Sequence, residues 1–300
     1  MLKPLFQFLS RMIGKASAAL GKGVGHSSPS HEEVFLAGNQ GKEPSADYFR
    51  ALFVFDNVVR ECIAVSRQYG GIQAPSTRHF YASVLFTALL SRSISLIILA
   101  PHSPWAQKLI EHWDYASAAI IVRTMIELRA AFHYLCVDQT SDEEGHCRWN
   151  LLCLHDCCAR LKTLEAKPSA PEDVADLESM AEGYRERLKA NRHFVTLRHQ
   201  QRLLNGGSAY LYPIEDILER AGLQRSTYKF LNVVFSSHVH GLPMSYFRMA
   251  EEERGRGLPS PIEESNTTIC LSLASVLLTA TRDEVHEIFK GLSKEQAPPT

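Results

Sequence analysis

An arginine and a glutamate lie one helical turn apart in an otherwise apolar stretch near the middle of the chain. Arg123 and Glu127 belong to segment 114–137, which is apolar on almost every side. Residues four apart share one face of a helix and can pair. A charge in an apolar core is costly unless it is paired. Two interpretations follow: a structural ion pair, or the floor of a pocket in which Arg123 holds an anion or Glu127 acts as a base.

A second group of polar residues lies in a late apolar stretch that ends in histidines. Tyr228, Asn232 and Ser236 recur every four residues, His240 continues their face, and His238 stands nearby. Buried polar side chains need partners, and a helix C-terminus favours imidazolium. One interpretation is a helix cap with hydrogen bonds to loops, and the other is an acid/base histidine beside the arginine and glutamate. The candidate catalytic residues are Arg123, Glu127, Tyr228 and His240, and the candidate binding residues are Arg123, Glu127, Ser236, His238 and His240.

A basic segment that contains histidine offers a different chemistry. Arg192 and His199 have six residues between them, which is within the Arg-x(4–6)-His spacing of the HEPN nucleases. In such an enzyme the arginine would stabilise phosphate charge and the histidine would act as acid or base. Because the motif is short, a solvated charged face is the plainer interpretation. A metal-independent RNA endonuclease, toxin-like in character, is therefore the alternative function.

Metal-dependent hydrolysis is a weaker third hypothesis. His238 and His240 form a His-x-His pair to which Glu127 could add an oxygen, and Cys153 and Cys157 lie one turn apart. Neither pattern has the spacing of a structural zinc site, so we predict no metal and no cofactor. Nucleotide-binding glycine motifs, the Gly-x-Ser-x-Gly elbow and His-Glu-x-x-His are absent from the sequence, which disfavours those chemistries.

Composition indicates a soluble globular protein. The chain has 300 residues, of which 45% are hydrophobic and 22% charged, and its net charge is −1. These values allow a sizeable core and provide no overall field that would attract DNA. The seven cysteines are odd in number and lie in apolar stretches. We therefore expect reduced, packed thiols and a cytoplasmic location.

The periodicity of apolar residues predicts an all-α, bundle-like fold without a sheet. Two capping boxes, Ser141 to Glu144 and Ser260 to Glu263, mark helix starts. The predicted helices run from about 45 to 69, 75 to 100, 114 to 137, 141 to 166, 171 to 197, 213 to 221, 226 to 240 and 260 to 290.

The segment 80–100 is apolar enough to be considered as a membrane span. It carries Arg92 near its middle, which is costly in a bilayer, and four small polar residues that repeat every four positions. They are Ser83, Thr87, Ser91 and Ser95. We interpret the segment as a helix of the bundle with one polar side.

The N-terminal segment differs from the rest of the chain. Residues 1–20 form a predicted amphipathic helix whose charges are all basic, and residues 21–44 are rich in Gly, Ser and Pro. A basic amphipathic helix suits an anionic membrane surface, here the inner membrane, or a site on the main body. The predicted organisation is a partly disordered region at 1–44, one helical domain at 45–292 and a disordered tail at 293–300. A homodimer is a further possibility.

Two blocks resemble a bacterial family, the domain of unknown function 5677. One is Arg123-Thr-Met-Ile-Glu127 with the aromatic residues that follow it, and the other is Tyr228 to Gly241 with its Ser-Ser-His-Val-His run. The resemblance covers about residues 49–280 and implies a helical fold with no established activity. It also implies that Arg123, Glu127 and His240 share a site. The first hypothesis is thus an uncharacterised helical protein that binds a ligand or protein partner, in defence or stress response.

Overall fold

A computed structural model describes residues 43–166, 171–247, 255 and 257–292. The predicted helix over 1–20, the predicted linker up to residue 42 and the predicted tail from 293 lie outside the described residues. Within the described ranges the chain is helical and contains no strand, so the predicted all-α fold is confirmed.

Ten α-helices make up the described structure. They are α1 (Ala46–Tyr69), α2 (Thr77–Leu99), α3 (Tyr115–Phe132), α4 (Asp142–Glu165), α5 (Pro171–Ala190), α6 (Gln200–Leu204), α7 (Ile214–Arg220), α8 (Arg225–Val239), α9 (Pro243–Tyr246) and α10 (Pro261–Phe289). A π-helix, His133–Val137, continues α3, and a 3₁₀ turn, Phe194–Thr196, follows α5.

Short polar side chains start the principal helices. The side chains of Ser45, Ser141 and Ser260 each accept a hydrogen bond from the backbone N–H three residues later. Asp114 does the same for the N–H of Ser117 at 3.0 Å. Each such cap satisfies an otherwise unpaired donor and contributes about 1 kcal/mol. The two predicted capping boxes therefore start helices at the predicted residues.

Two predicted helices are shorter than the periodicity suggested. The central helix is α-helical only to Phe132, and the π-helix covers the remainder to Val137. The charged helix ends at Ala190 instead of near 197. Asn191 ends it, because its Oδ1 accepts the N–H of Phe194 at 2.9 Å and its Nδ2 donates to the backbone oxygen of Glu143 at 2.9 Å. That asparagine fixes a turn where a helix would otherwise continue.

The described part of the chain divides into two compact units, one from residues 43–136 with the described residues of 218–292 and one from the described residues of 137–217. In the first unit, α10 packs along α1 and also contacts α2 and α3, while α8 packs on α3. Cys270, Leu271 and Leu278 of α10 are completely buried there. Burial of such apolar surface is the main stabilising term of a helical core. The single domain over 45–292 stays a prediction.

Among the described helices, α2 is long and apolar enough to cross a membrane. It packs against α1, α3 and α10. Arg92 is half-buried, and its Nε donates to Thr124 Oγ1 at 3.1 Å. The four small polar residues of the predicted stripe are all exposed: Ser83, Thr87, Ser91 and Ser95. The helix therefore has one polar face and several packed faces, as a bundle helix does.

The second unit is built around α4 and α5, whose buried apolar side chains form its core. Arg148 is almost completely buried in it and pairs with Asp138 at 2.8 Å and with Glu144 at 2.6 Å. The hydroxyl of Tyr212 donates to the same Glu144 oxygen at 2.9 Å. A buried cation that is paired in this way is stable, so we interpret the cluster as structural.

All seven cysteines are free thiols, and Cys153 is the one that is partly exposed. Burial raises the pKa of Cys62, Cys136 and Cys147 to about 12. Thiols with such pKa values carry almost no thiolate at neutral pH and are poor nucleophiles and ligands. The cysteines therefore pack as small apolar residues, as the sequence predicted.

Candidate functional site

The predicted ion pair forms, but only one of its members is buried. Arg123 Nη1 lies 2.6 Å from Glu127 Oε1, and the two side chains are 15% and 53% exposed, respectively. Arg123 Nε also donates to Ser236 Oγ at 3.4 Å, which links α3 to α8. The prediction that both charges are desolvated is therefore wrong for Glu127. That carboxylate lies on the part of α3 that the neighbouring helices leave uncovered.

The polar residues that were predicted to share one face of α8 lie in different environments. Tyr228 is buried, and Ser236 Oγ donates to Asn232 Oδ1 at 3.4 Å. His240 caps the C-terminus of α8 and is exposed. Its side chain forms no hydrogen bond or ion pair with the described residues, so the structure does not bring it to Arg123 and Glu127. His238 has a different partner altogether.

A pocket of about 190 Å³ opens in the first unit, where the N-terminal ends of α3 and α10 meet the part of α8 from Phe230 to His238. Most of its wall is apolar or aromatic. The main apolar lining residues are Trp113, Phe230, Leu231, Val234, Phe235 and Ile269. The polar lining residues are His112, Asp114, Tyr115, Ser237, His238, Ser245, Glu263 and Asn266. A mostly apolar cavity with a few placed polar groups is the usual composition of a small-molecule site.

His238 is the titratable group on the α8 side of this pocket. Its Nε2 lies 3.2 Å from the hydroxyl of Tyr115, and the two rings stand at 81° with their centroids 4.9 Å apart. Burial lowers the pKa of His238 below its ordinary value of 6.5, and nearby Asp114 opposes this shift only in part. The imidazole is therefore neutral at neutral pH. A neutral imidazole beside a phenol can offer both a donor and an acceptor to a ligand.

Glu263 joins the two helix ends that border the pocket. Its side chain is almost completely buried, and its Oε2 accepts the N–H of Tyr115 at 3.2 Å. Its Oε1 accepts the N–H of Gly255 at 2.8 Å. A carboxylate is stabilised at a helix N-terminus, where N–H groups are unpaired and the dipole is positive. Glu263 thus holds the start of α3 in place and gives the pocket an acidic side.

A close backbone contact fixes the loop that precedes α3. The N–H of Trp113 donates to the backbone oxygen of Gly257 at 3.1 Å. Gly257 has φ +73°, and a Cβ there would lie 2.5 Å from the ring of His112. Only glycine suits both conditions. The buried indole of Trp113 also packs 4.9 Å from the ring of Tyr48, so the pocket wall is anchored on α1.

Most of this pocket is not predictable from the sequence. The sequence patterns do not single out Tyr115 or Trp113, and they place Glu263 only in a capping box. One local signal was present: Asp114 is a good N-cap residue directly before Tyr115, so an aromatic side chain had to lie at the start of the central helix. The partner of that side chain is 123 residues away, and no local pattern indicates it.

The residues of the nuclease hypothesis lie in the second unit. Arg192 follows the end of α5, and His199 precedes α6 with φ +63°. Both are exposed, and the 3₁₀ turn Phe194–Thr196 lies between them. No hydrogen bond or ion pair to a described residue orients either side chain. RNA cleavage by these two residues stays a prediction.

Histidines, cysteines and acids do not gather into a potential metal site in the part of the chain that the structure describes. No group of three or more of them lies close enough together there to hold an ion. Of the metal candidates from the sequence, His238 contacts Tyr115, while His240 and Glu127 are both exposed. In the described residues, the structure therefore does not bring together Glu127, His238 and His240, the residues of the metal-dependent hydrolase hypothesis.

Comparison with known proteins gives one family. A family model described as "Family of unknown function (DUF5677)" matches residues 79–257, which confirms the resemblance seen in the sequence. No curated protein and no solved structure matches the chain. The matched range contains Tyr115 and His238, whereas Glu263 lies beyond it.

Proposed function

Since this chain belongs to DUF5677, a family of unknown function, we propose a function from its own geometry: it binds a small, largely apolar molecule in the pocket between α3, α8 and α10. One observation carries the proposal. An apolar cavity of about 190 Å³ contains a neutral imidazole that is paired with a phenol, Tyr115 with His238. Such a pair gives an apolar ligand one oriented polar contact.

The charges of the pocket narrow the class of ligand. Glu263 and Asp114 both line it, and Asp114 is also the N-cap of α3. An anionic ligand in the same cavity would be repelled by these two carboxylates and would lose its hydration. The favoured ligand is therefore neutral or a hydrogen-bond donor, with aromatic rings or aliphatic chains that pack against Trp113 and Phe235. Arg123 does not line this pocket, so the hypothesis that it holds an anion is separate from this proposal and stays a prediction.

Fluorescence titration with N-phenyl-1-naphthylamine tests the proposal. This neutral diarylamine has an N–H that can donate to the imidazole or the phenol, and its fluorescence rises in apolar surroundings. Val234→Trp fills the pocket, because Val234 lines it. Val233→Trp is the matched control, because Val233 is the neighbouring residue and is 60% exposed. Thermal unfolding of both variants checks that they fold.

We expect the wild-type chain and Val233→Trp to bind the probe with equal affinity and Val234→Trp to bind it at least tenfold more weakly. Loss of a good fit in a cavity of this kind costs roughly 1.4 kcal/mol or more, which is tenfold in affinity. If the two folded variants bound the probe with equal affinity, the probe would bind outside this pocket, and this result would contradict the proposal.

A further inference from the structure

The charged side chains of the pocket wall are acidic. Asp114 and Glu263 line the pocket, whereas no lysine or arginine is among the described residues that line it. The imidazole of His238 adds no positive charge at neutral pH, because burial lowers its pKa. The formal charges of the two carboxylates therefore make the described wall of the pocket negative, and a cation is the ligand charge that such a wall favours.

The two acids differ in what their oxygens contact. Glu263 is almost completely buried, and its two oxygens accept the N–H groups of Tyr115 and Gly255. Asp114 is half-buried, and its Oδ1 accepts the N–H of Ser117 at 3.0 Å. No donor in the described residues contacts its second oxygen, Oδ2. Asp114 can therefore accept a hydrogen bond from a ligand, while Glu263 contributes charge and holds the wall in place.

The Asp114 carboxylate lies close enough to His238 to act on it. Its charge raises the pKa of that imidazole and so opposes the larger effect of burial. The same imidazole lies 3.2 Å from the hydroxyl of Tyr115. When this hydroxyl donates its proton to Nε2, its oxygen is left as an acceptor. The adjacent residues Asp114 and Tyr115 thus supply two acceptors at the start of α3.

Aromatic rings form much of the remaining wall, and they suit the same kind of ligand. Trp113, Tyr115, Phe230 and Phe235 all line the pocket. The faces of aromatic rings carry partial negative charge and attract cations, most strongly where water is excluded. A metal ion would instead need several oxygen, nitrogen or sulfur ligands, and the described residues contain no group of three or more such side chains. The combination therefore favours an organic cation.

We infer that the ligand is a protonated amine that carries an aromatic or aliphatic ring. Its N–H groups donate to Asp114 and to the Tyr115 oxygen, and its ring packs against Trp113 and Phe235. This inference rests on the proposed function and adds that the hydrogen-bond donor of the ligand is a cation. Loss of hydration by an ammonium group is costly unless a counter-charge replaces it, and Asp114 provides that counter-charge.

Three naphthalene compounds test the inference, because they share one ring system and differ in charge. At neutral pH, 1-naphthylmethylamine is a cation, 1-naphthalenemethanol is neutral and 1-naphthoate is an anion. Isothermal titration calorimetry measures the affinity of each compound for the full chain. A hydrogen bond to a charged group is stronger than a neutral one by an amount that corresponds to roughly tenfold in affinity. We therefore expect the amine to bind roughly tenfold more tightly than the alcohol, and the naphthoate to bind most weakly.

The variant Asp114→Asn tests which side chain recognises the charge. Asparagine caps a helix as well as aspartate does, so the variant keeps the start of α3 and loses only the charge. The ratio of amine affinity to alcohol affinity should fall from roughly ten to about one. Asp47→Asn is the matched control, because Asp47 is an exposed acid in the first turn of α1, outside the pocket. Its ratio should equal that of wild type. An unchanged ratio in folded Asp114→Asn would overturn the inference.

The site of amine binding is checked with the variant that fills the pocket. Val234 lines the pocket, so Val234→Trp should weaken binding of the amine as it weakens binding of N-phenyl-1-naphthylamine. Full amine binding by this variant would place the amine elsewhere and overturn the inference.

The outcomes separate this inference from the proposed function. If N-phenyl-1-naphthylamine and the alcohol bind in the pocket, and the amine binds no more tightly than the alcohol, the ligand is not an ammonium ion and the pocket remains the ligand site. The same conclusion follows if the naphthoate binds most tightly. If neither the probe nor any of the three compounds binds the folded chain, the proposed function and this inference both fail.

Discussion

The hydroxyl of Tyr115, the first residue of α3, lies 3.2 Å from Nε2 of His238, in the last turn of α8. The contact joins two residues that are 123 positions apart, in the wall of an apolar pocket. This contact defines the place in the chain where we expect a ligand to bind.

The first prediction concerns the dependence of binding on pH. Burial lowers the pKa of His238 below 6.5, so the imidazole stays neutral from pH 8 down to about 6.5 and becomes charged only in more acidic solution. Probe affinity should be constant above pH 6.5 and fall below it. The reason is that removal of water from a charged imidazole costs more free energy than removal of water from a neutral one. The titration is repeated from pH 8 to pH 5 with His238→Gln, whose affinity should show no such fall.

The same group should contribute to folding stability with a defined sign. The unfolded chain binds a proton at His238 more readily than the folded chain does, so stability rises with pH across this range. The contribution is complete above pH 6.5 and is lost as the pH falls towards the lower folded-state pKa. Urea unfolding at several pH values measures it as the difference between wild type and His238→Gln. A difference that does not change with pH would contradict the buried, neutral imidazole.

Removal of the Tyr115 hydroxyl should weaken the probe site. A hydrogen bond contributes about 0.5–1.5 kcal/mol, so Tyr115→Phe should bind the probe about two- to tenfold more weakly. The chain offers a matched control, since Tyr69 forms the same kind of bond to His286 Nδ1 at 2.7 Å outside this pocket. Tyr69→Phe should leave probe affinity unchanged. Equal losses in both variants would point to a general loosening of the fold.

The predicted pair in the middle of α3 should be unimportant for the pocket. Neither Arg123 nor Glu127 lines it, and the pair is partly exposed. Glu127→Gln should change the free energy of unfolding by no more than about 1 kcal/mol and leave probe affinity unchanged. A tenfold loss of affinity in this variant would restore the hypothesis that the two charges form the binding site.

A different ion pair should be important for stability. Arg129 is only 3% exposed, and both of its terminal nitrogens donate to the carboxylate of Glu284, one of them at 2.7 Å. Glu284→Gln leaves a buried guanidinium without its counter-charge and should destabilise the chain by about 2–3 kcal/mol. Glu182→Gln is the control, because its pair with Arg185 is exposed and should contribute less than about 1 kcal/mol. Urea denaturation compares the two.

Local chemistry made several features predictable from the sequence. Ser45, Ser141 and Ser260 marked helix starts, because an N-cap bond depends only on residues three positions apart. The polar stripe of α2 and the pairing of Arg123 with Glu127 were predictable for the same reason, since both follow from the 3.6-residue repeat. Each of these features depends only on residues within or directly next to a single helix.

The exposure of Glu127 and the partner of His238 were not predictable in that way. Segment 114–137 is apolar on nearly every side, so its periodicity does not show which face the other helices leave open. Glu127 lies on that open face. The position of His238 beside Tyr115 depends on the register between α8 and α3, which is set by packing between distant residues. His240, two positions later, is exposed for the same reason.

The most direct test of the pocket is to locate the bound probe by NMR with methyl-labelled valine. Val234 lines the proposed site, whereas Val84 lines a separate groove of about 320 Å³ that involves α1, α2 and α10. We predict that N-phenyl-1-naphthylamine gives NOEs to the Val234 methyl groups and shifts their signals, while the Val84 signals stay in place. NOEs to Val84 with an unchanged Val234 would contradict the assignment of the Tyr115–His238 pocket as the ligand site.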